Sequence, residues 1–484
     1  MILLFRALQV LGVALLLAPV IYTLGLITSI TDFEITAVIK DFTYVFLQAA
    51  ISATFGLALG LVSALSLVAR PQSARWHLYL GVIPQFLPSL LMIFAYVKAL
   101  SFFNVFPQSY AHVIVVHILI NVGLSSFLLF MPLQKALYRK LHLFAGLNLS
   151  KFKYLQLLCG GELKVSLLYV WVLIFSYCLT SFSIPLILSG EGLATSTEYL
   201  IYKKGFIEGN WSAAAFWGIV QILFVAFLFK SSAVRAYGKD KAFLGMYQIK
   251  WPFHYLGSVA SVMLLLTLMM WPVAQMDVAL EHLSVDAYDI AVNTLLLAGW
   301  SLLFYSLYFW SQVVWVWNKI PWYFYQKFWS LSPILMGVYL LSVSSKFNLD
   351  AAGRMILTAL VLASFIFPFT FKFWIWPKFN ELQKMKIKFD VLGVSQKRAI
   401  NLVIIDFFKR EFMLSLSYVF LFVIGDFAIS SILLSDTVTL GLSIKNYIFK
   451  YQLAEAQMLS VVLAIVAFIS LAIFGGKRAF DSKF

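Results

Sequence analysis

Charge is scarce in this chain. Only 12% of its 484 residues are Asp, Glu, Lys or Arg, whereas roughly a quarter of a soluble domain is charged. That excludes a soluble globular protein of ordinary composition. Cysteine is scarcer still, with Cys159 and Cys178 the whole complement. One lies in a basic stretch and the other in an apolar run, so neither a disulfide framework nor a metal-ligand spacing is present. His112 and His117 are close in sequence, but no carboxylate or cysteine pattern accompanies them. Catalytic motifs are missing as well. No G-x-x-x-x-G-K-[ST] occurs, and "GGKRAF" at Gly475–Phe480 lacks both the spacing and the hydroxyl, so there is no P-loop to cradle ATP phosphates. There is no H-E-x-x-H and no paired set of catalytic side chains. No enzyme activity and no cofactor are expected on this chain.

Apolar residues are abundant. They make up 62% of the sequence, and the mean hydropathy is +0.91. A spanning helix needs roughly 20 mostly apolar residues. Twelve runs qualify: Ala7–Thr28, Tyr44–Val68, Leu80–Val97, Val113–Leu133, Val165–Leu188, Ala213–Phe229, Leu256–Val273, Ile290–Val314, Phe328–Val343, Met355–Phe371, Phe412–Leu434 and Ala456–Phe474. The first is too long for a signal-peptide core and lacks a small-residue cleavage site, so it counts as a span. The expected fold class is an all-α polytopic membrane protein with about twelve transmembrane helices. Trp315, Trp317, Trp322 and Tyr323 near a span end read as an interfacial belt.

The net charge of +15 raises the question of nucleic acid. Its distribution answers it. With the N-terminus in the cytoplasm, the inward-facing segments hold 28 of the 36 Lys and Arg and 7 of the 21 Asp and Glu. The outward-facing segments hold 8 basic and 13 acidic residues, and Asp426 lies inside a span. This is the positive-inside pattern, so the basic charge sets topology, no nucleic-acid partner is expected, and both termini are placed in the cytoplasm. Asp426 is the one acid within a span. Such groups are costly and face a cavity or a partner. It either lines a path, where it would favour a cation, or ties two helices together.

The chain also repeats itself. Shifted by 245 residues, "LNLS" at Leu147–Ser150 falls on "LGVS" at Leu392–Ser395, Phe144 on Phe389, Leu157 on Leu402 and Lys164 on Lys409. The alignment runs without a gap into the next span, where "SFSI" at Ser181–Ile184 meets "DFAI" at Asp426–Ile429. Two homologous six-helix halves follow, 1–250 and 251–484. The two longest basic loops, Gln134–Lys164 and Lys372–Glu411, each follow the fourth span of a half. Asn148 and Gly393 hold the same place in them, and both residue types readily take the left-handed backbone conformation. Each loop is expected to turn there and to offer a compact surface to a cytoplasmic partner.

These loops resemble the EAA loop of permease subunits of binding-protein-dependent ABC importers, roughly E-A-A-x-x-x-G followed by I-x-L-P. Here His142, Leu143 and Phe144 stand for Glu-Ala-Ala, Asn148 for the Gly, and Gly161 near the Pro. The second copy keeps Gly393 but has Asp390, with Asp406 near the Pro place. Within that family, fused twelve-span thiamine permeases carry segments similar to "FAGLNLSKF", to "CLTSFSIPLILSGEGLATSTEYLIY" at Cys178–Tyr202, and to "IGDFAISSILL" at Ile424–Leu434. Iron(III) permeases share the fused layout and the second-half Gly-Asp-Phe.

The resemblance implies a multi-pass permease of the bacterial inner membrane that imports a small solute by alternating access, with thiamine or a thiamine phosphate favoured. It implies two copies of an ABC ATPase subunit carrying ATP and Mg, a periplasmic substrate-binding protein, and membrane lipid as partners. The ATPase-coupling residues would be Phe144, Ala145, Gly146, Leu147, Asn148, Leu149 and Ser150, and Asp390, Val391, Leu392, Gly393, Val394 and Ser395. The translocation path would include Ser181, Phe182, Asp426 and Phe427. The alternatives are an iron(III) importer permease and a gradient-driven secondary transporter; the latter would need ionisable groups at the midplane.

Overall fold

The computed structural model describes residues 18–27, 35–68, 89–101, 110–144, 162–189, 195–231, 253–263, 287–317, 332–370, 379–395, 405–434, 437–450 and 452–480, with isolated residues at 74–85, 103–109 and 398. Every regular element among them is helical. In chain order these are α1 (Ile35–Val68), α2 (Ser89–Ser101), α3 (Tyr110–Phe144), α4 (Glu162–Leu179), α5 (Ser183–Leu188), α6 (Thr197–Tyr202) and α7 (Trp211–Ser231). They continue with α8 (Ala287–Trp317), α9 (Pro333–Lys346), α10 (Ala351–Thr370), α11 (Phe379–Val391), α12 (Ile405–Ile424), α13 (Ser430–Leu433), α14 (Leu440–Phe449) and α15 (Leu453–Phe480). Residues 18–26 and 259–263 are also helical.

Four of these helices contain stretches long and apolar enough to cross a membrane: Thr36–Val68, Tyr110–Phe130, Trp211–Leu228 and Ala287–Ser311. At 1.5 Å per residue, α1 is about 50 Å long, more than a hydrocarbon core of about 30 Å requires. Leu47 and Phe55 on α1, Leu223 and Phe227 on α7, and Leu295 on α8 remain exposed. On a spanning helix such side chains meet lipid. The protein is a helical membrane protein.

The helices fall into two compact units. One comprises residues 28–272. The other comprises residues 1–27 and 273–483. The units differ from the two repeated stretches of sequence at residues 18–27 and 253–263, which pack with the other stretch's helices. In the first unit α1 packs on α3 and α4, α3 on α4, and α5 on α2 and α3. Gly81, Gly123 and Gly257 meet backbone to backbone there. A Cβ on Gly123 would fall 1.8 Å from Gly81 O and 2.7 Å from Gly257 O. Ser63 fastens the same segment, donating to His254 O at 3.3 Å and accepting from Gly257 N at 3.2 Å. In the second unit α8 packs on α10 and α12, α10 on α12, and α13 on α9 and α10. Tyr22 packs on Tyr339 with ring centroids 5.4 Å apart.

The helix positions recur. Advanced by 245, α2 covers 334–346, where α9 is Pro333–Lys346, and α4 covers 407–424, where α12 is Ile405–Ile424. The pairs α1 and α8, α3 and α10, α5 and α13, α6 and α14, and α7 and α15 overlap under the same shift.

Three expectations about elements need correction. The runs Val165–Leu188 and Phe412–Leu434 are not continuous helices. The first stops at Leu179 and the second at Ile424, and each resumes as a short helix, α5 or α13. Apolar composition carried the reading across both breaks, because the residues there, Asp426 apart, are small or apolar. The basic loop Gln134–Lys164 also begins later than expected. Helix α3 passes through Pro132 and continues to Phe144. Its extension is built from Leu133, Ala136, Leu137, Leu141 and Phe144 at helical spacing, among strong helix-forming Lys and Arg.

Candidate functional site

The second basic loop contains α11. Its end is a Schellman motif. Gly393 N donates to Asp390 O at 3.2 Å, and Val394 N donates to Phe389 O at 3.0 Å. Gly393 has φ +65°, the left-handed conformation expected of that position. Nothing lies within 4 Å of where its Cβ would be, so the conformation and not crowding selects glycine. The cap exposes an apolar edge: Ile387 is 57% exposed, Val391 81% and Leu392 72%. Asp390, Gly393 and Ser395 are exposed beside them, and Val394 is half-buried. Three large apolar side chains exposed on one polar helix end are not lipid-facing by composition, since α11 is rich in Lys. They form a small exposed apolar edge. Ile387 was not among the residues singled out from sequence; its helical spacing to Val391 was the available signal.

In the first loop only the end of α3 is described, so Phe144 is placed by its backbone at the last helical residue. Ala145, Gly146, Leu147, Asn148, Leu149 and Ser150 lie outside the described residues.

The two breaks bring the remaining sequence-selected residues into view. Thr180, Ser181 and Phe182 separate α4 from α5. Breaking a helix frees backbone groups, which must be satisfied away from water. Thr180 N and its hydroxyl both donate to Ser176 O, at 3.0 and 2.9 Å. The hydroxyl of Thr197, on α6, donates to Leu179 O at 2.8 Å. Phe182 is buried and packs edge-on against Tyr202, centroids 5.4 Å apart, while Ser181 is half-buried.

In the other break, Gly425 N donates to Leu421 O at 3.3 Å and Asp426 N to Val423 O at 3.2 Å. Asp426 is buried. Its Oδ2 accepts from Ser430 N at 3.0 Å and from the Ser430 hydroxyl at 2.8 Å. The carboxylate therefore caps the first turn of α13 within its own segment. Phe427 is buried beside it. Gly441 of α14 rests directly on this break: a Cβ there would sit 2.7 Å from Asp426 O and 2.9 Å from Gly425 C. Thr294 of α8 supports the same region by accepting from Leu440 N at 2.9 Å.

The buried charges share one sign. Among the described residues, the buried charged side chains are Glu198, Glu411, Asp426 and Glu455. Glu198 is one of the 13 acids counted in outward-facing segments, and the structure buries it. Among the same residues no cluster of three His, Cys, Asp or Glu side chains is arranged to hold a metal.

A curated protein is similar to this chain. It is the thiamine transport system permease protein ThiP of Haemophilus influenzae, 27% identical over 197 residues. The match covers 38% of this chain and 37% of that protein, so it spans well under half of either. No family model matches the chain, and no solved structure matches it.

Proposed function

We propose that this chain is the permease subunit of an ATP-driven importer, with both transmembrane halves on one polypeptide. The observation that carries the reading is the likeness to ThiP. The recurrence of helix positions at a shift of 245 fits two homologous halves, and with them about twelve spans, of which four long apolar helices are described. The apolar edge of α11, closed by the Gly393 cap, suits docking into a cleft of a cytoplasmic ATPase. The loop at Leu147 and Asn148 would supply the second contact. ATP binding would draw two ATPase copies together, the two loops would follow, and the path between the halves would open toward a periplasmic binding protein. ATP and Mg belong to the ATPase in this scheme.

Thiamine or a thiamine phosphate is the favoured solute. Thiamine is an organic cation, and the buried charges of the described structure are carboxylates. Asp426 serves the path in this reading by fixing α13 where the chain turns back. The test is uptake of labelled thiamine into proteoliposomes holding this chain, its ATPase and its binding protein. ATP-dependent accumulation is expected. Accumulation that follows an ion gradient and ignores ATP would overturn the importer reading; ATP-dependent uptake of ferric ion and not thiamine would overturn the choice of solute.

A further inference from the structure

The segment after the first break carries four aromatic rings in series. Phe182 packs edge-on against Tyr202, with centroids 5.4 Å apart. Tyr202 stacks on Phe206 at 5.4 Å with ring planes 29° apart, and Phe206 meets Trp211 edge-on at 5.0 Å. All three spacings fall in the range of roughly 4.5–7 Å at which aromatic pairs attract. Exposure rises along the row. Phe182 is 7% exposed, Tyr202 is half-buried and Phe206 is 43% exposed, with Trp211 half-buried beside it.

Local structure builds the row. Tyr202 ends α6, and Phe206 lies in a π-turn, Lys203–Ile207. Four residues apart on a helical turn, the two rings share a face. The turn closes through Glu208 N to Lys203 O at 2.9 Å and Asn210 N to Lys204 O at 2.8 Å. Gly209, at φ +70°, then leads into α7, whose first residue is Trp211. A Cβ on Gly205 would sit 2.6 Å from the indole, so glycine there leaves the space that Trp211 fills. Glu208, Gly209 and Asn210 are exposed on the same turn. Irregular, polar backbone of this kind belongs in water and not in hydrocarbon.

Charge does not select the occupant. Lys204 is bonded to Glu208 at 2.8 Å, and Asp41 of α1 interacts with both Lys203 and Lys204. Two carboxylates balance two lysines, so a cation is not repelled, and aromatic ring faces attract one. The row also recurs in the sequence. Advanced by 245, Phe182 falls on Phe427, Tyr202 on Tyr447 and Phe206 on Tyr451. Gly205 and Trp211 fall on Lys450 and Ala456. Both halves keep three aromatic residues, and the first alone adds the indole and the glycine that seats it.

We infer that Tyr202, Phe206 and Trp211 form a stacking site for a planar aromatic cation, which enters at Phe206 and passes inward toward Phe182. The part the site plays in uptake rests on the importer reading; the binding itself does not. Thiamine carries two planar rings, one of them cationic, and is the probe.

The test uses the full chain in nanodiscs with 4-fluorophenylalanine placed at position 206. Thiamine should move the fluorine resonance and saturate. Choline, a cation without a ring, should leave it in place at the same concentrations. Tyr202→Leu and Trp211→Leu should each weaken the response about threefold to tenfold at an unchanged melting midpoint, and Tyr202→Phe should preserve it. In proteoliposomes with the ATPase and the binding protein, Tyr202→Leu should slow thiamine uptake and Tyr202→Phe should not. A resonance that ignores thiamine, or that follows choline equally, would overturn the stacking site. Wild-type uptake rates in Tyr202→Leu would overturn its place on the path. A saturable response without ATP-driven uptake would uphold the site and overturn the importer reading instead.

Discussion

Asp426 and Gly441 set the second break from opposite sides. Removing the carboxylate by Asp426→Ala leaves the amide and hydroxyl of Ser430 without the oxygen they share, and a buried group without a partner costs about 1–3 kcal/mol. Asp426→Asn keeps one acceptor oxygen and should lose less. Melting of the purified protein would separate the two variants, with alanine lower. If transport falls equally in both while melting is unchanged, the carboxylate acts on the solute and not as a cap. Gly441→Ala forces a methyl against backbone atoms that cannot rotate away. Overpacking of this kind costs about 1–3 kcal/mol, so the midpoint should drop, whereas Gly299→Ala, with nothing within 4 Å, should leave it in place. At this scale the sequence was only partly legible. Asp426 stands out as an acid in an apolar run, but its partner is the serine four residues on, which nothing in the pattern singles out. Glu198 looked like one more acid in a polar connection, and only the folded chain buries it.

Among elements, α11 carries the functional argument. Its turn at Gly393 was foreseeable, because the same place holds Asn148 in the first loop, and these two residue types share the left-handed backbone conformation. Gly393→Asn should therefore preserve binding of the ATPase. Gly393→Val opposes the positive φ, at about 1–2 kcal/mol, and should unwind the end that presents Val391 and Leu392. Circular dichroism would change little, since one turn is affected, but ATPase retention on the purified chain should fall. Equal retention in the Asn and Val variants would sever the cap from the docking edge. The breaks after α4 and α12 were not foreseeable from hydropathy. A run of mostly apolar and small residues reads as one span whether or not its hydrogen-bond ladder is interrupted, and a freed carbonyl such as that of Leu179 takes its hydrogen from a residue beyond the run, Thr197.

For the whole molecule, composition announced the helical membrane class, and the self-alignment at 245 anticipated helix positions that recur under the same shift. That residues 18–27 and 253–263 pack with the other stretch's helices left no mark on the sequence, because an apolar helix does not encode which bundle it joins. The account as a whole depends on two loops coupling this chain to an ATPase. Leu147→Asp and Leu392→Asp place a charge in each proposed contact, and an unpaired charge that becomes desolvated costs several kcal/mol. Neither residue lies in a span, so insertion should be normal. The decisive measurement is the amount of ATPase subunit that co-purifies with the tagged chain from membranes. Wild type should bring down the ATPase, each single variant less, and the double variant almost none at equal permease yield. Undiminished ATPase on the double variant would contradict the coupling role of both loops.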